Sequence, residues 1–425
     1  MIPISRLRDL ADGGAALCER PSTFDPATLA AVADIEAAVI ARGDDALREY
    51  SARWDAPVDT LRVPVEAMRS AWDAADPSLR DAIEAAAGAI RTFHEGQRPP
   101  DQPQTETWDG VTCWRRWQPV ERAGIYVPGG TAPLVSSLLM GVIPAQVAGV
   151  DRVVVCTPPP AAPEILAAAF ALGVDEVYAV GGAQAVFALA HGTESVPRVD
   201  LIAGPGNAYV TAAKLRAGRV CRVDGVAGPS ELLVLADGTV PADFVAADLL
   251  SQAEHGADSH VVVVATSDEV AQDVVAAVEA QVDSLPRADV ARRALTHASA
   301  VVAETLDAAV DFANRYAAEH LVLAVEDWQP VAVRIRNAGS VFCGPWAPES
   351  AGDYASGTNH TLPTGGFARS SGGVDVGTFG RHISFQTLSA DGLRALAPTV
   401  TTLARAERLE AHARAVDVRL DALAR

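Results

Sequence analysis

Residues 201–217 read LIAGPGNAYVTAAKLRA, and this stretch sets the fold class. Leu201 to Ala203 form a short apolar run of strand character, Gly204-Pro205-Gly206-Asn207 form a turn, and from Asn207 onward apolar residues recur at helical spacing. The same order of strand, glycine turn and helix repeats upstream. Strand-like runs fall at 124–127, 153–156 and 177–180, with helical runs at 133–150, 163–172 and 183–190. Such alternation predicts right-handed βαβ units on a parallel sheet. The turns VPGG (127–130), GGAQ (181–184) and GPGN (204–207) each fall where a strand gives way to a helix. Ligands dock at such points in open α/β sheets, where free backbone N–H groups can hold phosphate. None is G-x-G-x-x-G, so the motif alone does not license a standard dinucleotide site; three such turns still point to a nucleotide-like ligand.

A second alternation follows. Strands are expected at 231–236, 260–265, 300–302, 321–324 and 340–342, and helices at 243–255, 268–284, 306–319 and 331–337. The expected fold class is therefore α/β: two Rossmann-like domains with parallel-rich sheets. Alanine-rich segments at helical period fill 25–99, a hairpin is expected within 107–117, and residues 1–22 read as an N-terminal arm. Residues 344–380 are rich in glycine and read as one long loop, a length usually tied to function. Residues 389–425 read as two charged helices.

Composition narrows the class. With 425 residues and a net charge of −20, the chain is long enough for more than one core and is a poor partner for nucleic acid or an anionic membrane. A neutral or cationic substrate suits it better. The five scattered cysteines include no C-x-x-C, which argues against both a disulfide framework and a thiolate metal cluster and suggests a reducing compartment. Cys113 and Cys156 lie in apolar runs without a nearby histidine and read as packing residues. The longest apolar run, 134–150, is broken by Pro144, Gln146 and two glycines, so no membrane span is expected and the cytoplasm is the expected location.

Two places carry chemistry. In DLLSQAEH (248–255), Gln252 and His255 stand three apart on a helix and can point at one spot. With Asp353 and His360 of the long loop, or His412 of the tail, they would make an N/O donor set suited to zinc or another divalent ion. Q-x-x-H is a weak motif, however, and it fits a polar helix end equally well. A lone aspartate in a glycine loop is commonly a turn residue. In NRYAAEHL (314–321), Glu319 and His320 are adjacent titratable groups at an element end, which suits an acid/base pair and also a helix-terminal cap.

GIYVPGG, GGAQAV, GPGNAYVTAAK, AGPSE, DLLSQAEHG, NRYAAEHL, GPWAPESAGDYASGTNHTLPT and AERLEAHARAV together resemble the histidinol dehydrogenase family, in order and approximate spacing over essentially the whole chain. The resemblance implies oxidation of L-histidinol through L-histidinal to L-histidine with two NAD⁺, the last steps of histidine synthesis, on a zinc site at a homodimer interface. It implies Gln252, His255, Asp353 and His412 as zinc ligands, His412 reaching across from the other subunit. Zinc would hold the substrate through its imidazole and amino nitrogens. Ser230, Glu407 and His320 complete the substrate site, and Tyr126, Gln184 and Asn207 contact NAD⁺. His320 takes the alcohol proton and Glu319 activates the water that attacks the aldehyde. The implied organisation is an arm (1–22), a discontinuous zinc and catalytic domain (23–122 and 228–380), an NAD-binding domain (123–227) and a tail (381–425) packed on the partner subunit. Alternatives are a dehydrogenase on the same scaffold for another small alcohol and a zinc hydrolase with Glu319 as base. The chain departs from the family in a shortened 214–228 segment, in Ala318 where glycine or proline is usual, and in a glycine-rich 372–382.

Overall fold

The computed structural model describes every residue except 1, 11, 21–23, 130–131 and 226–227, so part of the first glycine turn lies outside the described residues. The chain divides into two units, one of residues 1–97 with 120–379, the other of 98–119 with 380–425.

The larger unit holds two parallel sheets. One has the strand order Glu176–Ala179, Arg152–Thr157, Arg122–Tyr126, Leu201–Ala203, Arg222–Val223. The other runs Ile4–Arg6, Ser299–Val302, His260–Ala265, Glu231–Ala236, His320–Ala324, Ser340–Cys343. Apart from the Ile4–Arg6 edge, the two orders are the same. From its first strand each sheet grows two strands one way, then turns back and grows the other way. A doubly wound sheet opens a crevice at that reversal. The reversals lie between Arg122–Tyr126 and Leu201–Ala203 in one sheet, and between Glu231–Ala236 and His320–Ala324 in the other.

The sequence dictates this locally. Glu231–Ala236 is buried at every position, as a central parallel strand with helices on both faces must be, so ELLVLA runs apolar after its first residue instead of alternating. Helices start where a short polar side chain takes over a free N–H: Asp25 accepts from Thr28, Ser267 from Val270, Thr305 from Ala308 and Asn207 from Tyr209 and Val210. The cores are valine, alanine and leucine with few aromatics, so helices and sheets approach closely.

Four expectations change. The helix expected to reach 319 stops at Tyr316, because Ala317 turns left-handed at φ 54° and closes its N–H onto Ala313; a non-glycine residue there costs about 1 kcal/mol. The helix expected at 331–337 is a single turn, Gln329–Ala332. The long loop contains a short helix, Glu349–Tyr354. The arm supplies a strand, Ile4–Arg6, too short to show alternation, whose backbone is specified by its pairing with Ser299–Val302.

The smaller unit is a three-stranded antiparallel sheet with Val111–Pro119 between Thr105–Trp108 and Gly380–Leu388, followed by the helices Ala390–Ala406 and Glu410–Leu423. Gly380–Leu388 falls between the expected loop and the expected tail, and its strand character comes from its partner. Trp114 stacks on Phe385 at 5.4 Å and Arg116 lies over the Phe385 ring. All five cysteines are unbridged, and no described helix is long and apolar enough to cross a membrane.

The GPGN turn is held from beneath by a buried ion pair. Lys214 Nζ lies 2.5 Å from Asp224 Oδ1 and donates to the Gly204 carbonyl at 2.8 Å, while Asp224 Oδ2 accepts from the Gly204 N–H at 2.8 Å. Gly204 has φ +125°, and a Cβ there would stand 2.1 Å from the Tyr126 carbonyl oxygen. Lys214→Met leaves the buried Asp224 carboxylate without its cation, held by backbone N–H groups alone, and is expected to cost about 3–5 kcal/mol. Urea unfolding checks this; a loss under about 1 kcal/mol would show that the pair is dispensable.

Candidate active site

At the carboxyl edge of the five-stranded sheet, the strands on either side of its reversal end at Tyr126 and Ala203, with Asn207 four residues further on as the cap of Ala208–Ala217. Tyr126 is buried, and its hydroxyl oxygen accepts from the Gly182 N–H at 3.1 Å. Burial pushes the phenol up to about 12, so it stays neutral. Gln184, in the first turn of Gly182–His191, is also buried, and neither its amide nitrogen nor its oxygen has a partner. Two unpaired polar atoms inside a protein cost about 1–3 kcal/mol each unless something else meets them. The three residues thus line one edge beside glycine turns, which fits a nucleotide-like group.

In the six-stranded sheet the chemical groups stand at the opposite end of the strands. Ser230 and Glu231 open one central strand, Glu319 and His320 open its neighbour, and the helix Ala242–Ala253 with the turn after it brings in Gln252 and His255. The long loop returns Glu349, Asp353 and His360 to the same place. His320 Nδ1 lies 3.1 Å from Gln252 Oε1. Since an amide oxygen only accepts, Nδ1 carries the proton and Nε2 presents its lone pair. That Nε2 is buried without a hydrogen-bond partner, 3.8 Å from Asp353 Oδ1. Burial lowers the His320 imidazole to about 3, which favours the neutral ring.

His255 shows the same logic at an exposed position. Its Nδ1 donates to the Ser251 carbonyl at 3.0 Å, which turns the Nε2 lone pair towards Asp353 Oδ2 at 3.6 Å. A cation between these two atoms would satisfy both, and a carbonyl on the far ring nitrogen is how histidine ligands are usually oriented. Gln252 is fully buried, with its Nε2 unpartnered. Gln252, His255 and Asp353 form an oxygen and nitrogen donor set without sulfur, which fits zinc or a similar divalent ion. His320, Glu349 and Asp353 also have donor atoms within 4.8 Å of one another.

The carboxyl groups are pushed towards their neutral forms. Burial raises Glu319 well above the ordinary range, Glu349 to about 7 and Asp353 to about 6. Glu319 Oε2 accepts from the Glu231 N–H at 2.9 Å, and Glu231 Oε1 accepts from the Glu319 N–H at 3.3 Å, so the two glutamates hold each other across adjacent strands. Glu349 accepts from the Ser251 hydroxyl at 2.7 Å. Sequence reasoning missed Glu349; the signal was an acid one helical turn before Asp353 in APESAGDY.

Ser230 is half-buried. It lines a cleft of about 290 Å³ whose wall runs from Gly206 and Asn207 to Gly228, Pro229, Ser230 and His255. The cleft therefore joins the carboxyl edge of one sheet to the amino edge of the other. Glu407 and His412 lie in the smaller unit, on the turn between its last two helices and at the start of the final one, and both are exposed. Cys156 is packed inside, its thiol pushed up to about 12, and is no nucleophile.

Two parallel sheets of one topology, a glycine-lined edge and a buried acid–imidazole cluster define an α/β enzyme with a ligand-binding edge beside its ionisable groups. A sequence profile described as histidinol dehydrogenase matches residues 18–420. The histidinol dehydrogenase of Vibrio parahaemolyticus is 47% identical over 414 residues, covering 96% of each chain. That of Salmonella typhimurium is 49% identical over 398 residues, covering 92% of this chain and 91% of its own. The crystal structure of histidinol dehydrogenase from Elizabethkingia anophelis superposes with a TM-score of 0.94 at 41% identity, covering 100% of this chain and 99% of its own. The chain belongs to the histidinol dehydrogenase family, oxidoreductases of histidine biosynthesis.

Asp248, at the head of this cluster, is raised to about 6 by burial, and its Oδ1 accepts from the Glu349 N–H at 3.3 Å. A carboxyl raised on folding favours the fold while it is protonated, and that contribution is lost as pH rises from its ordinary 3.8 through 6. Asp248→Asn keeps the acceptor and removes the charge. It is expected to raise stability at pH 8 by about 2 kcal/mol, somewhat under the full shift because the side chain is only half-buried, and to change little at pH 4. Thermal unfolding at the two pH values checks this, and an equal gain at both would refute it.

Proposed function

We propose that this protein oxidises L-histidinol through L-histidinal to L-histidine, using two NAD⁺ and a divalent metal, zinc by its donor set. The observation that carries this is the cleft joining Asn207 to Ser230 and His255, since hydride chemistry needs the nicotinamide and the carbinol carbon in one enclosed space. Gln252, His255 and Asp353 would hold the metal, with His412 from a second copy of the chain; Glu407 of that copy and Ser230 would flank the substrate. Tyr126, Gln184 and Asn207 would hold NAD⁺. The proposed assembly is thus a homodimer with shared sites, working in the cytoplasm. The exposure of Glu407 and His412 in their own unit supports that assembly.

When bound, the metal held by Gln252, His255 and Asp353 would orient histidinol, and NAD⁺ would serve as the hydride acceptor in each half of the reaction. The protein's own groups move the protons. His320 Nε2, kept neutral by burial and oriented by Gln252, takes the hydroxyl proton as the carbinol C–H bond breaks, which leaves the aldehyde. Glu319, with Oε2 held by the Glu231 N–H, takes a proton from water through its other oxygen as the water's oxygen bonds to the aldehyde carbon, giving the gem-diol. The burial that raises Glu319 makes it the stronger base once ionised. Loss of a second hydride and a proton from the gem-diol gives the carboxylic acid. The excess of acidic groups suits a cationic amino alcohol.

Metal-loaded protein with L-histidinol is expected to yield about two NADH per substrate consumed, a stoichiometry a simple alcohol dehydrogenase cannot reach. Chelation should abolish it, and His320→Ala should lower kcat roughly 10²- to 10⁴-fold. His412→Ala should weaken metal retention, read by elemental analysis after dialysis. No NADH from folded, zinc-loaded protein would sink the proposal.

A further inference from the structure

Arg20 lies far in sequence from the residues that carry the chemistry, yet it is built into their support. Its side chain is 9% exposed and that of its partner Glu231 is 1% exposed. The guanidinium holds both oxygens of Glu231, Nε to Oε2 at 2.7 Å and Nη2 to Oε1 at 3.1 Å. Nη2 also donates to the Tyr316 carbonyl at 2.8 Å and Nη1 to the Cys18 carbonyl at 2.5 Å. The group lies 3.6 Å from the centre of the Tyr316 ring. Nε and Nη2 both lead to one corner, the end of the helix Leu306–Tyr316 and the start of the strand Glu231–Ala236, while Nη1 ties the guanidinium to its own arm. Glu319 emerges from that same corner after the left-handed turn at Ala317.

The connection onward is the reciprocal clamp. Glu231 Oε1, fixed by Arg20, accepts from the Glu319 N–H, and the Glu231 N–H donates to Glu319 Oε2. We propose that Arg20 is a positioning residue for Glu319. By fixing the Glu231 carboxylate and the Tyr316 carbonyl it fixes the backbone on both sides of the clamp, and so the direction of the Glu319 oxygen that meets water. The inference rests on the role given above to Glu319. Its consequence is selective. Addition of water to the aldehyde depends on Arg20 through both arms of the clamp, while proton exchange at the alcohol oxygen, carried by His320 with its hydrogen bond to Gln252 as well as the Glu231 backbone, depends on it much less.

The two halves can be read apart on the intact, zinc-loaded protein. Oxidation of L-histidinal with NAD⁺ requires water addition; its reduction by NADH runs the alcohol step backwards and does not. Arg20→Met is expected to lower kcat for histidinal oxidation about tenfold, with KM little changed and reduction within about threefold of the parent. Arg20→Lys keeps the charge that buried Glu231 needs and loses the two-pronged grip, so it should fall between. Should Arg20→Met fail to fold, Arg20→Lys carries the test alone. Equal loss in both directions, or no loss in oxidation, overturns the proposal. Glu319→Gln is the control. If it too fails to separate the halves, the role given to Glu319 falls, and the proposal with it. If it separates them and the Arg20 variants do not, only the proposal falls.

Discussion

The amino ends of two neighbouring parallel strands carry more ionisable side chains than a dry pocket can keep charged. Glu231, Glu319, His320, Glu349 and Asp353 are all buried, and burial pushes each towards its neutral form. Only Glu231 is given a permanent cation, Arg20. The others are held by hydrogen bonds that specify orientation: a backbone N–H on Glu319, a serine hydroxyl on Glu349, an amide oxygen on His320. Groups so placed gain little from one another. Their arrangement is imposed by the strands, by the helix Ala242–Ala253 and by the returning loop, and the fold bears its cost.

That cost is met by two copies of one sheet topology used at opposite edges. In the first sheet the crevice at the carboxyl ends is lined by glycine turns, where a ligand can approach the backbone. In the second sheet the acids and imidazoles occupy the amino ends of the pair of strands flanking its reversal. The chain crosses between them over the short stretch from Arg222–Val223 to Glu231–Ala236, and the cleft opens beside that crossing. Fold class alone would direct attention to the carboxyl edge of both sheets. In the second sheet that is the wrong end.

Much of this was legible in the sequence. Leu201–Ala203, Glu231–Ala236 and His260–Ala265 have the expected borders, because buried parallel strands are apolar runs cut off sharply by turn residues. The alternation of such runs with helices gave the α/β class. The strands at Ile4–Arg6 and Gly380–Leu388 were not legible, since their backbones are specified by partners far away in sequence. The same limit applies to the chemistry. Gln252 and His255 share a local spacing and Glu319 and His320 are adjacent, but that spacing fits a polar helix end equally well. The eight family motifs singled out residues that spacing left ambiguous. Glu349 went unnoticed because an acid in a loop is ordinary until the loop is seen to fold back. Arg20 and Glu231 carry no local signature, since an arginine in an arm and a glutamate opening a strand acquire meaning only when packed together.

Arg20 meets the Tyr316 carbonyl across 296 residues of chain, and Ile4 pairs with Ala300 over a similar distance. During synthesis the arm precedes everything it docks on, Glu231 by 211 residues and Tyr316 by 296. Until Ser299–Val302 and Tyr316 have followed, the Ile4–Arg6 backbone is an unpaired strand and the Arg20 guanidinium lacks part of its set of partners. The glycine-lined sheet, made of contiguous segments, can close early; the acid–imidazole cluster closes later, when the arm is captured by residues that follow it by about 300 positions. The nascent protein therefore acquires its glycine-lined edge well before its acid–imidazole cluster.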